Sequence, residues 1–226
     1  MAEDLHKSDE PIIRITDLDF GYRGQTPVFD GLSLTFRPNE KVGITGPNGS
    51  GKSTLFLVIM GFLEPEKGKV ELFGVQRSTE NDFAEVRSDL GIVFQNSDDQ
   101  LFSTSLLEDV AFGPINQGRS LKEAESIARS EIERFGLKGL ESRTPQTLSE
   151  GEKRRAALAG VMAMSPKALL LDEPFTGLDE SSSTMLAKFL KTQAPPFILI
   201  DHNREHLESF CNRTLVLSNG KFTEPT

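Results

Sequence analysis

The chain has one cysteine, Cys211, in 226 residues. No disulfide can therefore close within it, and no cysteine-based zinc site can be assembled from it. Such cysteine usage fits a reducing, cytosolic setting. Long apolar runs are also missing: the longest, Leu55 to Leu63 and Ala156 to Met164, are nine residues each, about half of the ~18 to 20 that span a bilayer. The opening MAEDLHKSDE is charged and has no apolar stretch, so it is expected to be a flexible N-terminus (1–10) rather than a signal peptide. Positive charge is scarce as well. Lys and Arg total 25 against 34 Asp and Glu, a net charge of −9, which repels a phosphodiester backbone and argues against nucleic acid as a partner.

What is present reads as one α/β domain with an inserted lobe. Ile13 to Phe20 and Leu32 to Phe36 are apolar at alternate positions and predict half-buried strands. A short strand at Val42 to Ile44 is followed by a Gly-rich turn, then by STLFLVIMGFL, a buried helix with Gly61 as its stop. Val70 to Phe73 and Leu90 to Phe94 are further short strands. From Leu106 to Met164 the pattern is helical, with Ser120 and Glu123 forming a capping box. Ala168 to Leu171 and Phe197 to Ile200 are fully apolar runs ending in acid, as buried parallel strands do. Thr214 to Phe222, with Asn219-Gly220, predicts a closing hairpin.

Gly46 to Thr54 reads GPNGSGKST and matches G-x-x-x-x-G-K-[ST] in full, between a strand and a helix. Gly46, Pro47, Asn48, Gly49, Ser50, Gly51, Lys52, Ser53 and Thr54 are thus candidate ATP-binding residues. The glycines let backbone N–H groups converge on phosphate oxygens, Lys52 reaches the β and γ phosphates, and the Ser53 hydroxyl suits Mg²⁺. A second acidic motif follows the strand Ala168 to Leu171. Asp172 can hold Mg²⁺ through water, and Glu173, turned the other way, can orient or deprotonate the attacking water.

The segment Thr147 to Arg155, TLSEGEKRR, resembles the signature of ATP-binding-cassette (ABC) ATPases. LLLDEP and Thr176-Gly177-Leu178-Asp179, similar to the family's D-loop, extend the likeness across about Ile12 to Gly220. The resemblance implies a P-loop NTPase with a RecA-like core, an N-terminal antiparallel β subdomain and an inserted α-helical subdomain. One ATPase domain over 11–226 is expected, its core near 11–100 and 167–226 and its helical subdomain near 101–166. The resemblance also implies that Ser149, Gly151 and Glu152 contact ATP held by a second subunit. Ser149 with Glu152 equally forms a capping box, so the serine has a local role available. Glu150 and Glu152 stand where LSGGQ has glycine and glutamine, and Glu150 is expected to face away from the phosphates.

By the same resemblance, Gln95 is the Q-loop glutamine that touches Mg²⁺, Tyr22 is the aromatic that stacks on adenine, and His202 is the switch histidine near the γ phosphate. Tyr22 could instead pack at its strand end. His202, Glu205 and His206 also spell an H-x-x-E-H zinc pattern, which lacks a third ligand downstream. The implied assembly is a head-to-tail dimer with two ATP molecules sandwiched in it. Closing it from 1:99 to 99:1 takes ~5.5 kcal/mol, against roughly 6 to 12 gross from charge-assisted hydrogen bonds at both sites.

Gln95 to Pro114, QNSDDQLFSTSLLEDVAFGP, is similar to the corresponding stretch of energy-coupling-factor (ECF) transporter ATPases of the cobalt and nickel importer type. This implies a peripheral subunit on the cytoplasmic face of the membrane, with a transmembrane coupling subunit and a solute-binding membrane subunit as partners. Asp98, Asp99 and Glu108 could receive a basic coupling helix. The alternatives are a soluble ABC-type ATPase acting on nucleic acid or ribosomes, for which Lys153-Arg154-Arg155 is the only basic cluster, and an ATPase of another ABC transporter class.

Overall fold

The structure, a computed structural model, describes residues 10–223; the reading of 1–10 as flexible falls, apart from Glu10, outside them. The described chain forms two compact units: residues up to Arg87 together with those from Pro196, and Ser88–Pro195.

In the first unit, β1 (Ile13–Phe20), β2 (Phe29–Phe36), β4 (Lys67–Leu72) and β5 (Val75–Arg77) form an antiparallel sheet in the order β2-β1-β4-β5. Ile13 lies opposite Phe36 on one side and Leu72 on the other, so the buried alternate positions of three strands fall on one face. A parallel group surrounds β3 (Lys41–Thr45), which pairs with β8 (Phe197–Ile200) and β9 (Arg213–Ser218). The strand β10 (Lys221–Thr223) returns along β9 through Asn219-Gly220, the expected hairpin. Helix α1 (Lys52–Ile59) follows β3, α2 (Glu80–Ala84) carries a Thr79/Asp82 capping box, and α7 (Arg204–Phe210) follows β8.

In the second unit, β6 (Leu90–Val93) and β7 (Ala168–Asp172) pair in parallel, and every residue of both is buried. Helices α3 (Leu106–Asn116), α4 (Leu121–Arg134), α5 (Glu150–Ala163) and α6 (Glu180–Thr192) complete it. Helix α5 buries Ala156, Ala157, Leu158, Ala159 and Val161. Its small side chains let α3, α4, α6 and β6 all approach it.

The structure departs from the sequence reading at several element ends. The expected helical run from Leu106 to Met164 is broken after Arg134, where Gly136, Gly139 and Pro145 supply turn geometry and helix-breaking chemistry. The strand expected from Leu32 begins at Phe29, since Gly31, at φ 66, interrupts the alternation without ending the pairing. The short elements β5, α2 and α7 have too few residues for a periodicity to stand out in the sequence.

Cys211 lies where α7 ends, its sulfur 3.3 Å from the position a side chain on Gly43 of β3 would occupy. Burial pushes its thiol up to about 12. At pH 8 roughly one thiol in 10⁴ would then be ionised, against about a quarter of free thiols with pKa ~8.5. Iodoacetamide at pH 8 is expected to alkylate the native chain at least about 10²-fold more slowly than the urea-unfolded chain. Equal rates would contradict this burial.

Candidate active site

In the first unit the loop from Gly46 to Gly51 joins β3 to α1. Gly46 sits at φ +149, and a side chain there would meet the Leu217 carbonyl at 2.2 Å. Gly51 caps α1 at φ +98, where a Cβ would lie 2.4 Å from Val28 and 2.9 Å from Phe29. Glycine is required at both ends of the loop by dihedral and by space. Lys52 is buried, and its ammonium donates to the carbonyls of Gly46 and Pro47, each at 3.0 Å. The Ser50 hydroxyl is buried with no hydrogen-bond partner among the described residues. Pro47, Asn48, Gly49 and Ser53 are exposed. This is a glycine-rich, cationic loop with an unsatisfied polar atom among the described residues, chemistry that suits a polyphosphate.

Two aromatic or basic side chains flank the loop in the same unit. Tyr22 packs edge-on against Phe20 at 5.1 Å, bonds Thr54 Oγ1 through its hydroxyl at 3.2 Å, and keeps 39% of its surface exposed. One edge of the ring is thus packed at its strand end, and part of the side chain is accessible. His202 is exposed just after β8. The turn that presents it is held by buried Asp201, whose carboxylate accepts from the Asn203 amide at 2.8 Å and bonds His206 Nδ1 at 2.8 Å. His206 therefore braces that turn.

In the second unit, β7 delivers Asp172, 5% exposed, and then Glu173 at φ +45. A non-glycine residue in the left-handed region costs on the order of 1–3 kcal/mol and is held only where its surroundings fix it. Here Gln95 Nε2 donates to Glu173 Oε2 at 2.9 Å and the Thr176 hydroxyl reaches the same oxygen at 3.3 Å. The Gln95 amide oxygen thereby points elsewhere, as an acceptor.

The first turn of α5 carries the signature. Ser149 Oγ accepts from the Glu152 amide at 3.3 Å, and Glu152 Oε2 accepts from the Ser149 amide at 2.8 Å, a complete capping box. That bond holds the Glu152 carboxyl below its usual range. The cap occupies a lone pair of Ser149 and leaves its O–H free to donate. Gly151 is buried against α6: a Cβ there would lie 2.6 Å from Ser182 Oγ. Asp179 caps α6 by accepting from the Ser182 amide at 2.7 Å, which lowers its pKa. Glu150 turns to Lys153 of its own helix at 3.0 Å.

Two residues that the sequence presented as a basic cluster lie inside. Lys153 and Arg154 are 8% and 5% exposed. Lys153 binds Asp98 at 2.7 Å as well as Glu150, and Arg154 donates to the carbonyls of Phe94 and Gln95. Arg155 donates to the Phe135 and Gly136 carbonyls beyond α4. Neither the burial nor these partners were legible in the charges alone. The one available signal was that KRR runs straight into the apolar stretch AALAGVMA.

A strand, a glycine-rich loop and a helix opening on Lys52, with paired acids at the end of a second buried strand, define a P-loop ATPase. The comparisons fix the kind. Residues 29–176 match the family described as ABC transporter. The energy-coupling factor transporter ATP-binding protein EcfA of Methanothermobacter thermautotrophicus is 39% identical over 214 residues, covering 93% of this chain and 69% of its own. The structure of cbiO1 from Clostridium perfringens, described as part of the ABC transporter complex cbiONQ, superposes with a TM-score of 0.83 at 31% identity over 95% of this chain and 88% of that one. A bacterial ABC transporter cassette solved as a dimer matches with a TM-score of 0.84, covering 94% and 97%, and at 24% identity shows the fold alone. The chain belongs to the ABC transporter family and is its ATP-binding, ATP-hydrolysing domain.

The capping box gives a stability test independent of nucleotide. Ser149→Ala is expected to cost ~0.5–2 kcal/mol in urea unfolding, while Ser149→Asp, another good cap, stays within about 0.5 kcal/mol. Because Glu152 titrates below its usual 4.5 in the folded chain, its contribution is present above the unfolded value and lost as pH falls through the folded one. The stability gap between wild type and Glu152→Ala should therefore narrow in acid.

Proposed function

We propose that the chain is the ATP-binding subunit of an ABC importer of the ECF type, working as a head-to-tail dimer with a second copy or a paralogue. It would power uptake of a metal ion such as cobalt or nickel, or of a vitamin, through a transmembrane coupling subunit and a solute-binding membrane subunit. The observation that carries this reading is the 39% identity, along 93% of the chain, to an ECF ATP-binding protein. In this reading the chain is peripheral, on the cytoplasmic face of the membrane, and is held there by its membrane subunits. Residues 11–226 act as one ATPase domain, with 101–166 as its helical subdomain.

In this reading the Gly46–Thr54 loop holds the triphosphate, Lys52 leaving its carbonyl partners for the β and γ phosphates, and Tyr22 lies along the adenine. Ser53, Asp172 and Gln95 would hold Mg²⁺, a set of hard oxygen donors suited to it, and the bound ion would neutralise charge on the β and γ phosphates. Glu173 orients and deprotonates the attacking water, and His202 donates toward the γ phosphate. The dimer partner supplies the Ser149 hydroxyl and the Gly151 amide, with Glu152 holding the serine in place and Asp179 fixing the start of α6 beside Gly151. Loss of the γ phosphate removes what both subunits share, and the pair reopens.

The membrane side is supported by a surface in the second unit. Phe102 and Phe112 are 62% and 47% exposed, stacked edge-to-face at 4.9 Å, and follow the acidic segment at Asp98 and Asp99. Lys153 offsets Asp98, leaving Asp99 and Glu108 for a basic, amphipathic coupling helix. The nucleic-acid alternative loses its main support, since Lys153 and Arg154 are buried.

Glu173→Gln is expected to keep ATP affinity, lose ~10²- to 10⁴-fold in turnover and accumulate as an ATP-held dimer by size-exclusion chromatography. Turnover at the wild-type rate would remove Glu173 from its role. Lys52→Ala is expected to weaken ATP binding itself, measured by equilibrium titration. For the transport assignment, the chain purified from membranes in mild detergent should bring integral subunits. Proteoliposomes of that complex should then accumulate labelled metal ion or vitamin only with ATP. Recovery of RNA instead, or ATP-driven efflux, would overturn it.

A further inference from the structure

We propose that Arg154 is a positioning residue: its guanidinium clamps the Phe94 and Gln95 carbonyls and thereby sets the Gln95 side chain on Glu173. The inference rests on the roles proposed above for Gln95 and Glu173. It adds a residue that neither the motifs nor the likeness to relatives brought forward.

Arg154 is 5% exposed and has no carboxylate within hydrogen-bond distance. Burial alone would push its pKa down, and Glu150, Asp172 and Glu173 act on it only through space. Its direct partners are two main-chain oxygens, Phe94 O to Nη1 and Gln95 O to Nη2 at 2.5 Å. Consecutive carbonyls in a strand point to opposite sides. Here both converge on one planar fork, so the strand pattern of β6, last seen at Val93, is broken at this step. A bent main chain at Phe94–Gln95 is what turns the Gln95 amide back to Glu173 at 2.9 Å.

A further donor of the fork, Nε, is buried without a partner among the described residues. An apolar side chain would fill the same space in an alanine-rich helix with no such desolvation penalty. What an apolar side chain could not do is hold two carbonyls at once. Lys153, one residue earlier, adds a tie from the same helix to Asp98. The helix that begins at Ser149 is thus fastened to the 94–98 segment at adjacent positions, and Gln95 takes its register from α5.

The test is a double-mutant cycle on the full chain, assayed at the protein concentration that gives maximal wild-type turnover. Arg154→Gln should lower kcat about 10- to 100-fold while KM for ATP stays within about threefold. Arg154→Lys should recover part of the loss, because one ammonium holds one carbonyl well and two poorly. In a Gln95→Ala background, Arg154→Gln should cost no more than about twofold further. Without nucleotide, amide exchange at Asp98–Leu101 should quicken about tenfold in Arg154→Gln with α5 unchanged. If Arg154→Gln does not fold, the cycle is run with Arg154→Lys. Losses that multiply in the double variant, or wild-type kcat in Arg154→Gln, would overturn the role of Arg154 and leave Gln95 in place. Wild-type kcat in Gln95→Ala alone would instead remove Gln95 from its role, and this inference with it.

Discussion

A phosphate chain can be gripped by main-chain amides only where side chains stay out of the way, and that requirement governs the loop between β3 and α1. Gly46 is pressed onto the Leu217 carbonyl and Gly51 onto Val28 and Phe29, so the loop is immobilised by β9 on one side and by the start of β2 on the other. A loop held this tightly has little conformational entropy left to lose when a ligand arrives. The binding energy that would have ordered it remains for the ligand, and Lys52, parked on two carbonyls, stays close enough to exchange them for an anion.

The same economy appears in the second unit, where one helix start has several uses. The first turn of α5 satisfies its orphan amides with Ser149 and Glu152, packs Gly151 against the start of α6, and ties itself to the 94–98 segment through Lys153 and Arg154. The glutamates that depart from the family's usual signature are explained by this local chemistry. Glu152 closes a reciprocal cap, a bond glutamine could also make, and Glu150 is neutralised by Lys153. Neither needs to face a phosphate to be accommodated.

Much of the fold was legible because two of the parallel strands, β7 and β8, are short apolar runs that end in acid, and because the phosphate loop announces its strand and helix. Less was legible where polar residues do structural work. Lys153-Arg154-Arg155 reads as a surface patch until carboxylates are seen to receive the lysine and main-chain carbonyls the two arginines, and carbonyls leave no mark in a sequence. His206 reads as half of a zinc pattern until Asp201 is found 2.8 Å away. The turn after α4 was hidden for a different reason: glycine and proline there interrupt a pattern that is apolar on both sides. For Arg154 and Arg155 the missing term was a partner distant in the sequence.

The inward turn of that cationic run has a consequence for attachment. With Lys153 and Arg154 buried, the one run of three consecutive cationic residues in a chain of net charge −9 is withdrawn as a surface for gripping anionic lipid headgroups. The exposed pair Phe102 and Phe112 offers an apolar surface instead. A protein contact there would draw on apolar burial as well as on the charges of Asp99 and Glu108, and raised ionic strength would weaken only the second part.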